Sequence, residues 1–219
     1  MRWTPVVNAG ASAADKAAAI RAAGRRRWWQ RVLNALGLRT PAVARAAAEA
    51  ARWEAGAEGE RRTARLLEPL AQAGWWCFAD RAIPGAGRAN ADHVLVAPSG
   101  RVFLVDSKLW HRRARVRTDA GRLLHGSDDR DRHVGQVRYE AQCIGKAVKR
   151  SVTALIAVHN APVENGGFAL RGVTVLSAEN LVETLRRTCG QPDTAQARRI
   201  AAVVDALLPP YVEPQHHKS

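Results

Sequence analysis

Val102-Phe103-Leu104-Val105-Asp106-Ser107-Lys108 is the stretch whose reading decides the fold. An unbroken apolar run ends in a carboxylate, a spacer and a lysine. A second apolar run, Asp92-His93-Val94-Leu95-Val96-Ala97, precedes it and opens on another carboxylate. Between them, Pro98-Ser99-Gly100-Arg101 has the proline and glycine that a tight turn requires. Two strands joined this way form a hairpin. Their nearly continuous apolar character marks a sheet buried on both faces.

Around this hairpin the chain alternates helical and extended patterns. A helix is expected from Pro41 to about Ala73, with Thr40 as its cap. Trp53, Ala57, Glu60, Ala64, Leu67 and Ala71 recur three or four apart and share one face. Glu60 thus lies on the stripe that packs on the sheet, where a carboxylate needs a partner or a metal. The alternative is a helix starting near Gly59, with Glu60 merely favourable at its positive end. Gly56 and Gly59 would allow another backbone to approach. Trp75 to Asp80 reads as the first strand and Arg81 to Asn90 as a loop. After the hairpin, Ala114–Thr118 and Leu123-Leu124 suggest short outer pairings. A helix over about 132–149 would be capped by Asp131 or Asp128. Solvated capping also explains Asp128, Asp129, Asp131 and His133 better than a calcium loop does. Buried strands at 152–158 and 173–176 follow. Next come a helix capped by Ser177 and a last helix over 195–208. The order is helix, strand, strand, strand, helix, strand, then smaller elements.

Three regions result: a helical extension over 1–40, one domain over 41–208 and a disordered tail over 209–219. The extension carries Arg25, Arg26 and Arg27 beside Trp28 and Trp29. These suit stacking on bases and contact with phosphates, and equally a membrane surface or docking on the main domain. Net charge is +14, and only five of the 34 basic residues are lysine. Such a balance favours a polyanion, nucleic acid before membrane, because guanidinium groups hold phosphates in bidentate fashion. Arg112, Arg113, Arg115 and Arg117 form a second basic ribbon directly after the hairpin. No apolar run approaches the roughly 20 residues of a membrane span. Cys77, Cys143 and Cys189 form no CxxC pair, so a zinc site is not expected. An odd count with no apolar leader points to reduced thiols in a cytoplasm.

The hairpin gathers the chemistry. Asp106 and Lys108 alternate along one strand and so share a face, about 6–7 Å apart at Cα. The turn brings Asp92 beside Asp106. Asp92, Asp106 and the Ser107 carbonyl form a set suited to Mg²⁺, with Mn²⁺ as a substitute. Such an ion polarises a phosphodiester, and Lys108 would position the attacking water or stabilise developing charge. The plain alternative is an Asp106–Lys108 salt bridge at a strand end.

Gly56-Ala-Glu-Gly-Glu60, Asn90-Ala-Asp92-His-Val-Leu-Val with Gly100, Val105-Asp106-Ser-Lys108 and Gln136 together resemble the PD-(D/E)xK nuclease superfamily. Within it, the closest likeness is to the nuclease-related domain (NERD) family, over about residues 54–160. The resemblance implies an α/β, restriction-endonuclease-like core of order α-β-β-β-α-β, a mixed sheet flanked by helices. It implies Mg²⁺-dependent cleavage of DNA or RNA, with catalytic positions at Glu60, Asp92, Asp106, Lys108 and Gln136. Asp106 stands where that family more often has glutamate, and Ala91 where the superfamily motif has proline. Two other functions compete: a non-catalytic nucleic-acid-binding protein on a nuclease scaffold, and a membrane-surface or partner-docking protein using the Trp28-Trp29 segment.

Overall fold

The computed structural model describes residues 41–87 and 89–212. The expected 1–40 extension, with Arg25–Arg27 and Thr40, lies outside them.

A long first helix, α1 (Pro41–Gln72), is continuous through Gly56 and Gly59, so no helix begins near Gly59. Pro69 removes one backbone donor, and the helix stops within a turn. Ala73 and Trp75 N–H groups then close on the Leu70 carbonyl, across Gly74 at φ +79°. Three strands follow: β1 (Trp76–Ala82), β2 (Asn90–Val96) and β3 (Val102–Leu109). The β2–β3 turn has the expected form. Gly100 N–H donates to the Ala97 carbonyl at 2.8 Å, and Gly100 sits at φ +83°. A β-carbon at Gly100 would also lie 2.8 Å from Ile200 Cδ1, so both backbone and packing require glycine.

The chain then builds a small antiparallel sheet from β4 (Val116–Asp119), β5 (Arg122–His125) and β6 (Asp128–Asp129). Helix α2 (Asp131–Val148) leads to β7 (Val152–His159), β8 (Gly167–Leu170) and β9 (Val173–Ser177). Helices α3 (Leu181–Thr188) and α4 (Thr194–Leu207) close the fold. The main sheet runs β1-β2-β3-β7-β9-β8. Its two central pairings, β3–β7 and β7–β9, are parallel, and the outer ones are antiparallel. The chain is therefore α/β with a mixed sheet flanked by helices.

Strand alternation sorts the core into two layers. Val94, Val96, Leu104 and Ile156 face α2 and α4, meeting Val137, Ile144 and Val204. Leu95, Phe103, Val105 and Leu155 face α1 and α3, meeting Leu67, Leu70 and Leu181. Both faces are covered, as the unbroken apolar strands required.

Several local expectations need correction. Trp53 is 37% exposed, whereas Ala50 and Ala57 on either side of it along α1 are buried. Neither Asp128 nor Asp131 caps α2. Asp129 accepts the Asp131 N–H at 2.8 Å, while Asp131 accepts the Leu123 N–H and an ion pair from Arg171. Asp128 pairs with Arg130 and Asp129 with Arg122, so this cluster is spent on arginines. Ser177 makes no side-chain cap, since a 3₁₀ turn at Ala178–Asn180 intervenes before α3. The tail does not begin at Pro209. The Pro209 carbonyl accepts from Ala82 N–H and Tyr211 N–H donates to Asp80, because β1 is an edge strand with free backbone groups. Strand β8 went unforeseen. Its signal is Arg171-Gly172, both at positive φ, the two-residue turn that joins twisted antiparallel strands.

Candidate active site

The β2–β3 register pairs His93 with Val105, and one step further sets Asp92 opposite Asp106. The Ser107 N–H donates to Asp92 Oδ2 at 2.8 Å, locking the carboxylate against β3. Lys108 curls back along its own strand. Its Nζ donates to Asp106 Oδ1 at 2.7 Å and lies 3.4 Å from the Ser107 carbonyl. Asp106 Oδ2 is buried and also 2.7 Å from Nζ, so the ammonium engages both carboxylate oxygens. The salt-bridge alternative is thus present as geometry. Lysine occupies the cation's place at Asp106.

One lysine is not enough for the carboxylates around it. Glu140, on α2, is only 3% exposed and accepts from Gln136 Nε2 at 2.9 Å. Burial pushes Glu140 up to about 7; the Gln136 bond opposes the rise, the Asp106 charge adds to it and Lys108 opposes it. Asp92 is held well above the usual carboxylate range. Burial is the main cause, then the charges of Glu60 and Asp106, against Lys108 and the Ser107 N–H. Lys108 is shifted up. Burial alone would depress it, but Asp106, Asp92 and Glu140 outweigh that. Three carboxylates, Asp106, Asp92 and Glu140, act on one ammonium, in surroundings where unpaired charge is costly.

The fold brings Asp106 and Lys108 into direct contact, holds Asp92 on the Ser107 N–H between them, and sets Glu60 within electrostatic reach of Asp92. Gln136 is present but exposed, and acts on Glu140. Glu140 itself was missed. It sits on the α2 stripe with Val137, Ala141 and Ile144, so the argument that singled out Glu60 would have found it. His133, also on α2, is near enough to Lys108 to feel its charge. Burial first, then Lys108, Arg132 and Arg130, bring it down to about 3.

Ser107 divides its roles. Its backbone serves the carboxylate face, while its side chain crosses to the other. There Oγ donates to Thr63 Oγ1 at 2.8 Å, and Thr63 meets His159 Nε2 at 2.8 Å. Arg112, Arg113 and Arg115 are exposed on the segment leaving β3, and Arg117 is half-buried on β4. None touches the carboxylates, and Arg117 pairs with Asp119 at 3.1 Å.

For a divalent cation the donors are of the right kind, hard oxygens of Asp92 and Asp106 with the Ser107 carbonyl beside them. The excess of carboxylates over Lys108 fits such an ion. Among the described residues no three His, Cys, Asp or Glu side chains already converge as ligands. Binding would require Lys108 to leave Asp106.

No curated protein and no solved structure matches the chain. The sequence profile of the nuclease-related domain does match, over residues 55–164, half of the chain, which takes in α1 from Ala55, the hairpin, α2 and β7. The protein belongs to the NERD, or nuclease-related domain, family.

Proposed function

We propose that the protein is a metal-dependent nuclease that hydrolyses phosphodiester bonds of DNA, with RNA as the other substrate class. The observation that carries this reading is the crowding of Asp92, Asp106 and Glu140 around Lys108, with the Glu60 charge reaching Asp92. A divalent cation at Asp92, Asp106 and the Ser107 carbonyl, Mg²⁺ or Mn²⁺, would polarise the phosphodiester and make a bound water more acidic.

The chain's own groups supply the rest. Asp92 is held in register by the Ser107 N–H, so its carboxylate keeps a fixed place. Lys108, displaced from Asp106, would still have the Asp92 and Glu140 charges beside it. Its ammonium would orient the attacking water or stabilise charge on the phosphorane-like transition state. Glu140, near 7, is suited to exchange a proton at neutral pH, and Gln136 fixes its orientation. The exposed Arg112, Arg113 and Arg115, with Arg117, would meet backbone phosphates of the bound strand.

The second reading is a catalytically weak or inactive nucleic-acid-binding protein on the same scaffold. The direct Asp106–Lys108 ion pair favours it, since a lysine seated there needs no metal. The test is incubation of the protein with plasmid, single-stranded DNA and RNA in Mg²⁺, Mn²⁺ or EDTA. Cleavage that requires the metal and disappears in Asp106→Asn supports the nuclease. Salt-sensitive binding without cleavage, unchanged in Asp106→Asn, supports the scaffold reading.

A further inference from the structure

On the opposite face of the sheet, at the same strand ends, lies a cavity of about 630 Å³. Arg62, Arg65 and Leu66 of α1 line it, with His159 of β7 and Ser177 and Glu179 at the end of β9. The catalytic reading uses none of these residues.

The α1 sequence explains the placement. At about 100° per residue, Glu58, Arg62 and Arg65 share a flank, and Glu60 lies roughly opposite. One helix thus sends an acid toward Asp92 and arginines toward the cavity. Arg62 is pre-set by two contacts, Nε to Glu58 at 2.8 Å and a terminal nitrogen to Asn160 Oδ1 at 3.0 Å. Arg61 also binds Glu58 at 3.0 Å, and Arg65 stands 3.6 Å from it, its side chain 59% exposed. Three guanidinium groups around one carboxylate leave positive charge over.

The remaining wall is mixed. Leu66 and Pro162 are apolar, while Ser177 brings a hydroxyl and Glu179 a second carboxylate from the β9 side, two acids against the three guanidinium groups. His159 forms the inner boundary with its ring tied to Thr63, and it is uncharged at neutral pH, held to about 4 by burial and by Arg62. The volume falls within the 300–1,000 Å³ of small-ligand pockets. A planar ring fits the apolar wall, and an anion fits the guanidinium forks.

We propose that this cavity binds a nucleoside monophosphate unit, with phosphate on Arg62 and Arg65 and base against Leu66 and Pro162. The unit comes either as a free nucleotide or as the 5′-phosphorylated end of a strand. The site goes beyond the nuclease reading and does not depend on whether the carboxylate centre cuts.

Calorimetric titration of the full chain in EDTA tests this, with AMP and adenosine as probes. AMP is expected to bind saturably and adenosine at least about tenfold more weakly; Arg65→Ala should weaken AMP by about tenfold or more, and Asp106→Asn should leave it within about twofold. Arg65 is exposed, so a melting curve matching wild type shows that the variant is folded. Competition separates the two sources. Displacement of AMP by a 5′-phosphorylated oligonucleotide, but not by its 5′-hydroxyl form, assigns a strand end; displacement by neither assigns a free nucleotide. The proposal is overturned by any of three results: no saturation up to about 10 mM AMP, unchanged affinity in Arg65→Ala, or loss of binding in Asp106→Asn.

Discussion

Neighbouring residues on β2 and β3 lead to opposite environments. Asp92, Asp106 and Lys108 face α2; His93 and Ser107 face α1. The first group is charged, with more acids than bases. The second is neutral: Ser107, Thr63 and His159 form a hydrogen-bonded chain. Both groups are buried or nearly so, yet burial demands different things of them. Neutral polar groups are satisfied by each other at ordinary hydrogen-bond distances. Carboxylates packed beside one ammonium retain a demand for positive charge, and that demand is what a metal-dependent centre uses. His93 is an exception on the neutral side. Neither of its ring nitrogens finds a partner among the described residues, and it is fully buried.

The sharpest break between the two faces is expected in activity. Asp106→Asn keeps the shape of the site and removes its charge. Metal-dependent cleavage should fall by about 10³-fold or more, with a melting temperature no lower than wild type; a variant that cuts normally would place the chemistry elsewhere. On the neutral face the largest effect should come from pH. Burial first, then His159, holds His93 to about 3, and burial with Arg62 holds His159 to about 4. Both bind protons more readily unfolded, near 6.5. Their stability is complete above pH 6.5 and is lost as pH falls toward 4, by up to about 1.4 kcal/mol per pH unit for each ring. Denaturant melts from pH 7 to 4.5 measure this, and a flat profile would refute neutral burial.

Thr63→Val leaves Ser107 Oγ and His159 Nε2 without their shared partner. It should cost about 1–3 kcal/mol of stability while the proposed cleavage activity per folded molecule changes little; a selective loss of rate would mean that the two faces communicate. The smallest effect concerns Gln136→Ala. Its hydrogen bond lowers Glu140, so removal should move the acidic limb of the pH–rate profile upward, with only about a threefold loss of rate at neutral pH. An unshifted limb would take Glu140 out of the reaction.

Much of the centre was legible from residue order. Asp92 and Asp106 are tied by a short turn, and Asp106 and Lys108 by strand alternation, so local geometry sufficed. Glu60 was legible as an acid on an apolar stripe. Glu140 obeys the same rule, but its closeness to Asp106 and Lys108 depends on how α2 packs on the sheet, which no local pattern encodes. The Thr63–His159 bond joins residues 96 apart, and no local pattern encodes it.

By itself the sequence determined the two-sided burial of β2 and β3, the long helix before them and the acids at the strand ends. Periodicity and turn chemistry are local properties, written in consecutive residues. Only the tertiary structure decided that α2 brings Glu140 to Asp106 and Lys108, that Pro209–Tyr211 returns to β1, and that α1 sets Glu60 within reach of Asp92 while Arg62 and Arg65 line a cavity. Those outcomes depend on which helix packs on which face, and packing is a property of the whole chain.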